Sequence, residues 1–117
     1  MPPPLLPIIK HTKDSYLVWF DYFQKLPKIH RYTLGLKIDN LFIEIIEGLS
    51  AASFSKSSEK QTPIKNTIRK NDTLKVLMMI LWESKSIDNK KYIILSKQLN
   101  ELGKMLGGWL SHLQKQK

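Results

Sequence analysis

"YIILSKQLNELGKMLGGWLSHL", residues 92–113, decides the fold. Tyr92, Leu95, Leu99, Leu102, Leu106, Trp109 and Leu113 alternate steps of three and four without a miss. That is an a/d repeat, the spacing that keeps one face of a helix apolar. The same stretch carries Gly103, Gly107 and Gly108. Inside a helix each glycine costs about 1 kcal/mol relative to alanine. Trp109 and Leu113 keep the register beyond them, so the helix is expected to run on through the glycines. With Tyr92 at a, the f positions are Lys90, Lys97 and Lys104, a line of positive charge opposite the apolar seam. Gly103 and Gly107 fall at e and b, on a flank of that seam, where small residues let another backbone come close. Gly103, Gly107 and Trp109 are therefore candidates for packing, either against another subunit or in a tight crossing within one bundle.

Outward from this stretch, three further helices are legible. The first is expected to start near Thr12 or Asp14, both good caps, and to end before Pro27. Its Tyr16, Leu17, Trp19, Phe20, Tyr22 and Phe23 leave little polar face, as in a helix that is buried or meets two partners. Before it, residues 1–11 hold four prolines and read as an extended lead to a domain covering 12–117. The second helix is expected from about His30 to Phe54, on Leu34, Ile38, Leu41, Ile45, Leu49 and Ala52. "SFSKSSEKQTP" reads as a loop. The third is expected to start at Thr62–Pro63, with Ile64, Ile68, Leu74, Leu77, Met78 and Leu81 inward. "ESKSIDN" then breaks the pattern. Four helices with short connections predict an all-α, up-down-up-down four-helix bundle.

Charge is uneven along the chain. Residues 1–55 hold six Lys/Arg against five Asp/Glu, whereas residues 56–117 hold thirteen against five. An excess gathered in one half predicts a surface for an anionic partner. Lys65, Arg69, Lys70 and Lys75 of the third helix, with Lys90, Lys97 and Lys104 of the fourth, are the candidate nucleic-acid-binding residues. Such groups contact phosphates without reading bases. The competing view is a plain solvated surface.

Little else suggests chemistry. There is no cysteine, which excludes disulfides, thiolate metal sites and a cysteine nucleophile. His11, His30 and His112 have no second ligand at metal spacing and read as exposed or capping side chains. Glu44, Glu47 and Asp39 lack the Glu-x-x-His pairs of a di-iron bundle and read as a solvated or salt-bridging face. No phosphate-binding or nucleophile-elbow motif is present. No enzyme activity, cofactor, metal or small-molecule substrate is expected. The start "MPPPLLPIIK" lacks a basic region and is broken by prolines, and the longest apolar run is "VLMMILW", 76–82. A cytoplasmic protein without a membrane partner is expected.

Two blocks carry a family resemblance. "LPKIHRYTLGLKIDNLFIEIIEGL", 26–49, resembles the turn and second helix of the four-helix proteins encoded in 23S ribosomal RNA intervening sequences. "LSKQLNELGKMLGGWL", 95–110, resembles the end of the last helix in the Avd branch of that family, the accessory variability determinants of diversity-generating retroelements. Gly103, Leu106, Gly107, Trp109 and Leu110 match the second motif. Leu26, Pro27, Arg31, Leu34 and Gly35 match the first. The resemblance implies a basic four-helix bundle assembled as a barrel-shaped homopentamer. It also implies partnership with a reverse transcriptase and binding of nucleic acid, template RNA, its cDNA copy or both, during mutagenic copying. The Avd protein is not itself the polymerase. All the matching positions are architectural, so no lysine inherits a role. The alternatives are an orphan protein of the intervening-sequence type and a protein–protein adaptor without nucleic-acid binding.

Overall fold

The computed structural model describes residues 6–116. Four long helices form a bundle: α1 (Pro7–Gln24), α3 (Leu34–Phe54), α4 (Gln61–Glu83) and α5 (Asn89–Gln114). A single turn, α2 (Lys28–Arg31), links α1 to α3, and a 3-10 turn at Ser57–Glu59 precedes α4. Each long helix packs on its chain neighbours, and α5 closes the square against α1. The 26 residues of α5 span about 39 Å at the helical rise and set the long axis of the molecule.

The helices form where apolar stripes can be buried together. In α5 the stripe is Leu95, Leu99, Leu102, Leu106 and Leu113, all buried. Each such leucine contributes about 1.5–3 kcal/mol. That sum outweighs the roughly 3 kcal/mol penalty of the three glycines, and the helix continues through them as expected. Asp88 starts it, its carboxylate accepting the Lys91 N–H at 2.8 Å. In α3 the buried stripe runs Gly35, Ile38, Phe42, Ile45, Leu49 and Ala52.

Several boundaries differ from expectation. α1 begins at Pro7, five residues before Thr12. Pro7 occupies the first helical turn, where a missing N–H costs nothing, and Ile8 then starts the buried stripe. Of the expected extended lead, residues 7–11 are helical, and 1–5 lie outside the described residues. The inner face of α1 is Ile8, Thr12, Ser15 and Trp19. Leu17 and Phe20 are exposed, so the aromatic run is not buried all round. The Thr12 and Ser15 hydroxyls donate back to the Ile8 and His11 carbonyls, both at 2.8 Å, which satisfies them in the core. The second helix starts at Leu34 because the chain turns at Tyr32–Thr33, leaving His30 in α2. α4 starts at Gln61, so Pro63 lies third, still among the N–H groups that lack helical partners.

Trp19 anchors one side of the core. It is fully buried, lies face to face with Phe23 at 5.5 Å and Phe42 at 6.2 Å, and donates to Asp39 at 3.2 Å. Burial, and then the neighbouring Asp39 carboxylate, push the Tyr16 phenol up to about 12. Among the described residues no helix is long and apolar enough to cross a membrane.

Candidate nucleic-acid interface

The seven basic candidates do not share one face. At about 100° per residue, Lys65 and Arg69 point away from the buried stripe of α4. Lys70 turns toward α3, where its ammonium lies 3.4 Å from Glu44. Lys75 turns the other way, toward Gly103 of α5. Lys90, Lys97 and Lys104 form an exposed row along the outer side of α5, about 10.5 Å apart. Asn71 of α4 bonds Leu99 of α5, and Trp82 stacks on Tyr92. These contacts fix the two helices as antiparallel neighbours.

Pairing distinguishes α1 from α4 and α5, while Lys28, Arg31 and Lys37 between them have no carboxylate partner among the described residues. The three lysines around α1 lie against two carboxylates: Lys10 and Lys13 share Asp14 at 3.0 and 3.8 Å, and Lys25 pairs with Asp21 at 3.3 Å. The Lys10 hydrogen bond holds the Asp14 carboxyl below its ordinary value. On α4 and α5, Lys65, Arg69, Lys75, Lys90, Lys97 and Lys104 have no carboxylate partner among the described residues. Six unpaired cations on two adjacent helices make a field that attracts polyanions.

The glycines of α5 separate into two kinds. A methyl group at Gly103 would lie 3.3 Å from the Lys75 ammonium and 3.5 Å from the Asn71 amide. Asn71 also reaches the Leu99 carbonyl at 3.1 Å. Gly103 therefore faces α4 within the subunit, where the Lys75 side chain can swing aside and the Asn71 distance is an ordinary contact. A methyl group at Gly107 or Gly108 would meet nothing. Trp109 turns to the opposite flank and lines an open depression with Leu6, Pro7, Ile8, Ser53, Lys60 and Met105.

Two of the three histidines join separate elements. His11 bonds the Gln98 carbonyl at 2.8 Å, tying α1 to α5. His30 pairs with the Ser86 hydroxyl at 2.5 Å, joining the two turns at one end of the bundle. His112 contacts Gln116 at 3.1 Å. Among the described residues there is no cluster of three metal-ligating side chains.

Sequence reasoning passed over three features. The stripe of α4 is Ile64, Thr67, Asn71, Leu74, Met78 and Leu81, so two polar residues sit in the core. The steps of three and four between those positions were a visible signal for them. Trp82 and Tyr92 stack at 4.5 Å with their planes 5° apart, which no local spacing indicates. Val76, Met79 and Ile80 of α4 and Ile93 of α5 are exposed apolar residues near the lysine row.

The sequence matches the model of the bAvd-like family over residues 8–113, from the first turn of α1 to the last turn of α5. No curated protein and no solved structure matches the chain. The family match spans all four long helices, including both motif blocks, and so the chain belongs to the bAvd-like family.

Proposed function

We propose that this protein is a non-catalytic accessory subunit of a diversity-generating retroelement. In this reading it binds nucleic acid and a reverse transcriptase and supports mutagenic copying of a template RNA. The observation that carries the reading is the unpaired basic surface of α4 and α5 in a bAvd-like chain. Each ammonium that meets a phosphate frees about one counterion condensed on the nucleic acid, and one already held by a carboxylate must first give up that partner. Binding should be steeply salt-dependent and weakly sequence-specific.

The subunits would assemble, as the family resemblance implies, into a ring such as a homopentamer. Gly107 and Gly108 support this, since nothing inside the subunit requires them. Exposed Val76, Met79 and Ile93 border the same α4–α5 side. A ring repeats the basic row once per subunit and raises avidity by simultaneous contacts.

The test is charge reversal of Lys90, Lys97 and Lys104 to glutamate, read by salt-titrated binding of template RNA. The row is solvent-exposed, so the fold should survive. Loss of binding with an unchanged circular dichroism spectrum is expected. Unchanged binding at physiological salt would exclude this surface. Co-purification with a reverse transcriptase of a diversity-generating retroelement tests the partner.

A further inference from the structure

The end of the bundle where α4 turns into α5 holds an arrangement that the lysine row does not explain. The chain leaves α4 through a Schellman turn. The Ser86 N–H bonds the Leu81 carbonyl at 2.9 Å, and the Lys85 N–H bonds that of Trp82 at 3.0 Å. The residue after such a helix end takes the left-handed conformation and is usually glycine. Here it is Lys85, with φ of 66°. A lysine there costs about 1–2 kcal/mol by the steric clash of its Cβ. Its side chain is exposed, so packing does not account for its presence.

Beside Lys85 stands Trp82. One face of the indole is stacked on Tyr92, and its N–H donates to the Asn89 side-chain oxygen at 2.6 Å. Ring plane and ring edge are both fixed. Trp82 also lines a shallow open depression of about 370 Å³ with Lys85, Ile87, Asp88 and Asn89. Tyr92 lines a separate groove, with Lys75, Ser96 and Asn100. The carboxylate in the depression, Asp88, is engaged by the Lys91 N–H at the start of α5. Lys85, Lys90 and Lys91 have no carboxylate partner among the described residues. Lys91 leans over the Tyr22 ring at 5.2 Å.

We infer that Trp82 is a stacking platform for an unpaired nucleobase, with Lys85, which lines the same depression, placed for a flanking phosphate. The inference rests on the nucleic-acid reading above and adds to it a place and a preference for single strands. A base offers its face to an indole only when its own neighbours leave that face free, which excludes the interior of a duplex. A pre-ordered ring loses little entropy on stacking, and cations next to it hold the backbone. A lysine kept in a glycine's conformation beside that ring fits the same purpose.

The experiment compares a short oligoadenylate, as RNA and as DNA, with a duplex of the same length, on wild type, Trp82→Leu, Trp82→Phe and Lys85→Gly. Trp82→Leu should weaken single-strand binding about 10-fold and duplex binding by less than about twofold. Trp82→Phe keeps a stacking ring and should stay within about threefold of wild type. It should also abolish the part of the tryptophan fluorescence that the oligonucleotide quenches. Lys85→Gly should weaken the single strand while raising the melting temperature. Tighter binding of the RNA than of the DNA arm would point to a contact with the 2′-hydroxyl. Selective loss of either single strand on Trp82→Leu supports the site. If Trp82→Leu left single-strand binding unchanged, or lowered both forms equally, the platform would be refuted while the basic surface stood. If wild type bound neither form, both readings would fall together.

Discussion

Gly35 and Gly48 in α3 and Gly107 and Gly108 in α5 all sit in helices, Gly35 in a first turn and the others in helix interiors, yet their surroundings are opposite. A methyl group on Gly35 would lie 2.6 Å from a Leu26 methyl and 2.8 Å from the His30 carbonyl. One on Gly48 would run into the Thr67 hydroxyl. One on Gly107 or Gly108 would meet open space. The α3 glycines are demanded by the subunit: they let α2 and α4 approach. The last two of α5 are demanded by nothing inside it. A penalty of roughly 2 kcal/mol there, with nothing inside the subunit to offset it, is what the proposed assembly would account for.

The sharpest way to break this contrast is Gly35→Ala. The conflict is with backbone as well as side chain, in a buried position, so a loss of about 2–3 kcal/mol is expected in urea melts. Gly48→Ala should cost somewhat less, about 1–2 kcal/mol, because the Thr67 side chain can turn at the expense of its bond to the Pro63 carbonyl. Lys85→Gly is the converse case, a glycine conformation occupied by another residue, and should stabilise by about 1 kcal/mol. Gly107→Ala and Gly108→Ala should each stabilise the dissociated subunit by up to about 1 kcal/mol, measured at a protein concentration low enough to keep it apart. Equal destabilisation at all four glycines would erase the distinction.

Much of this architecture was legible because leucine spacing is a strong signal. The a/d run of residues 92–113 predicted α5 through its glycines, and Leu34 to Ala52 predicted α3. The start of α1 was not legible, because prolines weigh against a helix unless one happens to fall in its first turn, as Pro7 does. The candidate site was legible in part. The lysine row on α5 follows from heptad positions alone. The diversion of Lys70 to Glu44 and of Lys75 toward Gly103 depends on which helices are neighbours, and a single helix does not encode that. The same holds for the division among the glycines: Gly103 and Gly107 look alike on a helical wheel, and only the approach of Asn71 and Lys75 separates them.

Sedimentation of wild type and Gly107→Leu tests the central claim most directly. Residue 107 faces open space in the subunit, so leucine fits there and the helix gains stability. Wild type is predicted to sediment as a closed assembly, and Gly107→Leu as a folded species of lower mass. A wild type that stays monomeric at every concentration, or an assembly indifferent to leucine at that position, would contradict the account.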